Sequence, residues 1–316
     1  MAQGSWVDPQ LRPLLAVLPA LGALSAETLE AMRASLGTGE IPPGDEIVSI
    51  ERVMLTSAEE RSGNPVVVWG VLYRPRSAKN LRPAVLNIHG GGYVAGSVAR
   101  DDAAMRELAV ALDCVVMSVD YRLAPETPYP GPLEDCYTAL AWLDTQAERL
   151  DIDRTRIAVR GVSAGGGLAT GLALLARDRG GPCPMFVALL YPMLDHRTKA
   201  SPGLGEHVWS AEANRFGWDS YLCGLSVVGG YASPAIMESL EGFPPCFLAV
   251  GSIDLFVGED LAFAARLAQS GVPVELRLYA GAYHGFNLAS DSDAARSYKT
   301  DELKALQRAF GGVFVA

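Results

Sequence analysis

From residue 46 onward the chain alternates short apolar runs with longer stretches in which apolar side chains recur every three or four positions. Residues 46–55 and 66–73 are rich in Val and Ile and are separated by Ser62-Gly63-Asn64-Pro65, a pattern that predicts an antiparallel hairpin. Continuous apolar runs follow at 84–88, 114–119, 156–159, 186–190, 246–250 and 274–278, so that eight strands are expected with the hairpin. Helical spacing fills the intervals at about 102–112, 133–147, 165–177, 259–269 and 293–310. Strands that lack polar alternation must be buried on both faces. Their alternation with helices therefore predicts a mostly parallel sheet covered on both sides, an α/β fold. Residues 193–230 break the rhythm with Pro, Gly, His196, His207 and the bulky Trp209, Phe216 and Trp218, with helical spacing at 211–222, and are expected to lie as an insertion over the sheet.

Charge narrows the partners. A net charge of -10 with no cluster of Lys or Arg argues against nucleic acid, which needs a basic stripe to neutralise phosphates. Neutral or cationic small molecules fit better. The 5 cysteines, Cys114, Cys136, Cys183, Cys223 and Cys246, stand singly with no C-x-x-C pair. This pattern predicts a reducing, cytoplasmic location and no metal centre. The apolar stretch at 14–24 could pass for a signal peptide, but Asp8 and Arg12 leave the preceding segment without net positive charge and Pro13 and Pro19 interrupt the run. It is also too short for a membrane span, so a cap or docking helix is expected.

The candidate chemistry centres on Gly161-Val162-Ser163-Ala164-Gly165. In a chain with 33 glycines a G-x-S-x-G match alone is weak, but this one joins a predicted strand to a predicted helix. Such a turn lifts a serine above the sheet, and Ser163 is the candidate nucleophile. The rival dinucleotide fingerprint fails because Gly165 and Gly167 are followed by Thr170 where a third glycine is needed. A serine needs a base, and His284 sits in a loop after the last strand. His196 and His207 fall in the insertion and read as polar groups of that cover. For the acid that orients the base, Asp254 directly follows an apolar strand, where open α/β sheets place functional groups. Glu259 and Asp260 begin the next helix, where acids are expected simply to complement the helix dipole. The order Ser163, Asp254, His284 is that of α/β-hydrolases. Side-chain-free residues in His89-Gly90-Gly91-Gly92-Tyr93 can bring backbone N–H groups close to a reacting oxygen, which makes Gly91, Gly92 and Ala164 the candidate oxyanion donors. His89 is expected to anchor this loop by hydrogen bonding.

With these motifs in place, the chain resembles the hormone-sensitive lipase family of bacterial carboxylesterases. The likeness runs over most of its length and includes Asp120-Tyr121-Arg122-Leu123-Ala124-Pro125-Glu126, Tyr191-Pro192-Met193-Leu194-Asp195, Ser233-Pro234, Asp254-Leu255 and His284-Gly285-Phe286. The resemblance implies an eight-stranded α/β-hydrolase core at 46–192 and 231–316. Over it lies a helical cap made of residues 1–45 and 193–230. It also implies hydrolysis of short- to medium-chain acyl esters without a cofactor, and a possible homodimer paired through the sheet edge. The same residues would serve an amidase or an acyltransferase, and a non-catalytic receptor on this scaffold is a further alternative. Tyr93, Trp209, Phe216 and Trp218 are candidates to line an acyl or alcohol pocket, with packing between cap and core the competing role for each cap aromatic. Most family members carry Asp or Thr before the nucleophile, whereas this chain has Val162, so a polar contact made there is expected to be missing.

Overall fold

The computed structural model describes residues 6–17, 24–35, 39–56, 66–77 and 81–313. Along the chain these form α1 (Arg12–Leu15), α2 (Leu29–Ser35), β1 (Val48–Thr56), β2 (Val67–Pro75), β3 (Arg82–Ile88), α3 (Asp102–Leu112), β4 (Val115–Asp120), α4 (Gly131–Thr145), β5 (Ile152–Val162), α5 (Ala164–Arg179), β6 (Phe186–Leu190), α6 (Ala211–Tyr221), β7 (Cys246–Gly251), α7 (Val257–Gln269), β8 (Val274–Tyr279) and α8 (Asp293–Phe310). The eight strands make one sheet in the order β1-β2-β4-β3-β5-β6-β7-β8. The β1–β2 and β2–β4 pairs are antiparallel and all others parallel. The predicted hairpin is therefore present, while its Ser62-Gly63-Asn64-Pro65 turn lies outside the described residues.

The apolar runs behave as burial on two faces demands. Every residue of β3, β6 and β7 is buried. β8, the last strand in the order, is exposed or half-buried throughout. The strand before the nucleophile starts at 152 rather than 156. Its first residues, Asp153 and Arg154, are too polar to read as an apolar run, and the pairing with β3 shifts register between Arg82 and Ala84. The apolar stretch at 14–24 yields only the single turn of α1 among the described residues, ending at Leu15. Among those residues, no helix is long and apolar enough to cross a membrane.

Alternation along β5 assigns helices to faces. Gly161 lies under α5, where an added Cβ would sit 2.7 Å from the Ala169 Cβ. Its neighbour Arg160 points the other way and donates from Nε to Glu302 of α8 at 2.9 Å. Because α3 packs on α8 and α4 on α5, the two pairs cover opposite faces.

A buried polar network lies under the α8 face. Arg160 also donates to Asn87 Oδ1 at 2.8 Å and to the Tyr298 hydroxyl at 3.2 Å, and Asn87 donates to Ser118 Oγ at 3.0 Å and Asp101 Oδ2 at 3.1 Å. One guanidinium thus joins β5, β3 and α8, and through Asn87 reaches β4 and the segment before α3. Burying a charge is tolerated because nearly every polar group in the network has a partner.

The N-terminal segment is strapped across the strand C-terminal ends. Arg33 of α2 donates to the carbonyls of Val94 and Ala124 at 2.8 and 3.0 Å and pairs with both oxygens of Glu126. That pairing holds the Glu126 carboxyl down at about 2. Further along the same edge, the Tyr283 hydroxyl donates to the Leu11 carbonyl at 2.9 Å.

Candidate active site

Ser163 occupies the turn between β5 and α5 with φ +55° and ψ -119°, a conformation that L-residues seldom adopt. The turn is held by its own backbone: Ser163 N–H donates to the Leu190 carbonyl at 2.9 Å, and its carbonyl accepts from Gly166, Gly167 and Met193 at 2.8, 3.1 and 2.9 Å. Close approach explains the flanking glycines. A Cβ on Gly161 would meet the Gly165 carbonyl oxygen at 2.3 Å, and one on Gly165 would meet the carbonyl oxygens of Ile88 and His89 at 2.2 and 2.3 Å. No side chain fits at either position. The spacing seen in the sequence is thus a packing requirement.

The structure brings the three predicted side chains into one hydrogen-bonded line. Ser163 Oγ lies 3.0 Å from His284 Nε2, and His284 Nδ1 lies 2.9 Å from Asp254 Oδ2. All three residues are buried. The carboxylate demands a proton on Nδ1, which leaves Nε2 with a lone pair facing the serine hydroxyl. Asp254 is held in turn by the Phe256 N–H, which donates to Oδ1 at 3.0 Å. A serine, an imidazole in the accepting tautomer and an orienting carboxylate can together attack a carbonyl and shuttle one proton.

Next to the nucleophile, Gly91 and Gly92 turn with φ +131° and +62°. A Cβ on Gly91 would lie 2.0 Å from the Ala95 carbonyl oxygen, so this loop also excludes side chains. Among the described residues, the N–H groups of Gly91, Gly92 and Ala164 donate to no backbone carbonyl. His89 behaves as the anchor anticipated for it. Its ring stacks on Tyr121 at 4.3 Å, its Nδ1 is 2.9 Å from the Gly90 carbonyl, and the Tyr121 hydroxyl donates to the His89 carbonyl at 2.9 Å. Burial lowers its pKa, so it stays neutral.

Residues 85–288 match the model of a family described by its α/β hydrolase fold. Carboxylesterase NlhH of Mycobacterium tuberculosis is 34% identical over 319 residues, covering 96% of this chain and 96% of its own. The chain belongs to the α/β-hydrolase family. Among solved structures it is similar to a bacterial heroin esterase, with a TM-score of 0.86 and 33% identity over 96% of this chain and 98% of that one. It is also similar to esterase LipW from Mycobacterium marinum, with a TM-score of 0.83 and 32% identity over 96% of each. The resemblance to the hormone-sensitive lipase family read from the motifs is borne out at the level of family and fold.

In this α/β-hydrolase the aromatic candidates divide. Trp209 reaches the site: a Cβ on Gly92 would lie 2.2 Å from its ring, and its centroid is 6.1 Å from that of His284. Tyr93 is buried, stacks on Tyr221 at 4.1 Å and donates its hydroxyl to the Met193 carbonyl at 3.0 Å, while Trp218 tilts against it at 5.0 Å. These rings join α6 to the core beside the glycine loop at 90–92. Phe216 is half-buried against the core. Val162 is half-buried and packs likewise.

The helix after Asp254 departs from expectation. Glu259 and Asp260 do fall in the first turn of α7, but they point inward instead of simply meeting the dipole in solvent. Glu259 accepts from the backbone N–H groups of Leu194 and Asp195 at 2.6 and 3.1 Å and from the Thr198 hydroxyl, clamping the segment that leaves β6. Those donors favour the carboxylate, yet burial outweighs them and raises its pKa to about 8. Asp260 is buried with neither carboxylate oxygen hydrogen-bonded, and burial, reinforced by the charges of Glu259 and Asp254, pushes its pKa up as well. Both acids were missed because their spacing matches an ordinary helix start.

The raised Glu259 pKa has a signed consequence. The unfolded chain releases this proton near 4.5 and the folded chain near 8, so the folded state becomes relatively less stable as pH rises between those values. Glu259→Gln keeps an oxygen for both N–H donors and an amide for Thr198 but cannot ionise. The variant should melt close to wild type at pH 5 and above it at pH 8. Melting curves with the same offset at both pH values would refute this.

Proposed function

We propose that the protein is a serine carboxylesterase that cleaves short- to medium-chain acyl esters through an acyl-enzyme intermediate. The observation that carries this reading is the unbroken line from Asp254 through His284 to Ser163, with contacts of 2.9 and 3.0 Å. Ser163 Oγ attacks the ester carbonyl while His284 Nε2 takes its proton. Asp254 holds the imidazole in the tautomer that can do so, and the N–H groups of Gly91, Gly92 and Ala164 receive the oxyanion. His284 then returns the proton to the departing alcohol, and water repeats the attack on the acyl-enzyme. The esterase names of relatives such as NlhH, matched over 96% of both chains, support an ester as substrate. No step calls for a cofactor.

We read residues 1–45 and 193–230 as the cap, and 46–192 and 231–316 as the core. The Arg33 strap and the contact of Trp209 and Gly217 with Gly92 support this division, since both cap parts touch the catalytic edge. The exposed edge of β8, where Leu276 is 37% and Leu278 50% exposed, supports pairing of two copies through the sheet. Light scattering should then give twice the chain mass, and Leu278→Lys should lower it to one chain; a wild-type protein of single-chain mass would exclude the pairing.

Ester and amide readings separate by leaving group. Wild type should release 4-nitrophenol from 4-nitrophenyl butyrate far faster than 4-nitroaniline from the matching anilide. Ser163→Ala should lose at least about a thousandfold in kcat on the ester. Turnover surviving that change would remove Ser163 from the mechanism, and equal rates on ester and anilide would favour an amidase.

Trp209 supplies a test of acyl fit. Its ring closes the space over Gly92, so Trp209→Ala should raise activity on longer acyl esters relative to acetyl. An unchanged chain-length profile from acetyl to decanoyl would place Trp209 in packing alone.

A further inference from the structure

Tyr191 stands at the C-terminal end of β6, and neither its position nor its chemistry is used in the mechanism above. It is buried with φ +33°, in the left-handed region that L-residues seldom occupy. Its N–H donates to the Ala249 carbonyl at 2.6 Å, which fixes the backbone to β7. Two contacts then reach the catalytic loop. The ring centroid lies 4.3 Å from that of His284 at a tilt of 53°, and the hydroxyl donates to Asn287 Oδ1 at 2.5 Å. Asn287 lies three residues beyond His284 on the same loop.

We propose that Tyr191 is a positioning residue for His284, with its hydroxyl holding the loop through Asn287 and its ring backing the imidazole as it becomes positively charged. The inference rests on the reading of His284 as the general base. When Ser163 transfers its proton to Nε2, the imidazolium is flanked by Asp254 on one side and meets aromatic rings around it. Phe256 is 5.2 Å away, nearly perpendicular, and Trp209 6.1 Å away, but Tyr191 is the nearest ring. An aromatic ring within about 6 Å favours a cation over a neutral group. The same proton must next pass from Nε2 to the oxygen of the departing alcohol as the carbonyl–alkoxy bond breaks. A displaced or less stabilised imidazolium therefore harms substrates whose leaving group needs that proton more than those whose leaving group departs as a stable anion.

That difference separates positioning from mere support of the fold. The pair of substrates is ethyl butyrate, whose alkoxide must be protonated, and 4-nitrophenyl butyrate, whose phenolate need not be. Because both esters form the same butyryl-enzyme, kcat/KM, which reports acylation, is compared: Tyr191→Leu should lower it about tenfold on the ethyl ester and no more than about threefold on the nitrophenyl ester. Tyr191→Phe keeps the ring and should restore most of the loss. Its residual defect should equal that of Asn287→Ala, and the double variant should be no worse than either single one. Equal proportional losses in kcat/KM on the two esters, additive effects of Tyr191→Phe and Asn287→Ala, or no change in kcat/KM on the ethyl ester would each overturn the proposal. If Tyr191→Leu does not fold, the Phe and Ala variants still decide it. His284→Ala should abolish turnover of both esters. Activity surviving that change would instead overturn the functional reading on which this inference rests.

Discussion

The structure around Ser163 depends first on the close approach of the β5–α5 turn to the end of β3. Main-chain oxygens of Ile88 and His89 lie where a Cβ of residue 165 would be, and the Gly165 carbonyl lies where a Cβ of residue 161 would be. This contact puts the Ser163 turn, the start of α5 and the glycine loop after β3 within one small volume. It also forces Ser163 into positive φ, a strain held by the hydrogen bonds of its backbone to Leu190, Gly166, Gly167 and Met193. A looser turn would admit side chains, and the glycine loop after β3 would then be carried away from Ser163.

Around that contact the other parts of the site are attached by long-range polar links. Arg160, three residues before Ser163, is tied to α8 through Glu302 and Tyr298 and to β3 through Asn87. Glu259, five residues after Asp254, grips the backbone at Leu194 and Asp195, just past Met193, whose N–H bonds the Ser163 carbonyl. Ser163, Asp254 and His284 come from different strand ends, and hydrogen bonds through Arg160 and Glu259 tie the surrounding segments together. Such bonds are worth little net in stability but strongly resist displacement, because an orphaned partner would remain buried.

Residues of the 193–230 segment meet this frame through close contacts and aromatic packing. Gly217 of α6 lies against the Gly92 carbonyl and Trp209 against Gly92 itself, while Tyr93, Trp218 and Tyr221 form one packed group. The glycine loop after β3 is therefore packed from above as well as from the Ser163 turn.

Much of this was legible along the chain because it depends on local rules. Apolar runs on both faces specify parallel strands, a glycine on either side of Ser163 specifies a turn under close packing, and the order Ser163, Asp254, His284 follows from placing polar residues just after strands. The boundaries were less exact where charge interrupted the pattern, as at residues 152–156 of β5. The direction of the helix side chains was not legible. Asp254 is marked by its place just after β7, but only the phase of α7 against the sheet decides that Glu259 clamps a distant backbone and that Asp260 is buried with neither carboxylate oxygen hydrogen-bonded. Likewise Tyr191 and Asn287, 96 positions apart, carry no mutual signal in the sequence. Periodicity records which residues must leave water, and so it determined the sheet, its covering helices and the strand-to-helix turn that carries Ser163. Which buried polar groups find one another depends on distances across strands and helices, and those exist only once the chain has folded.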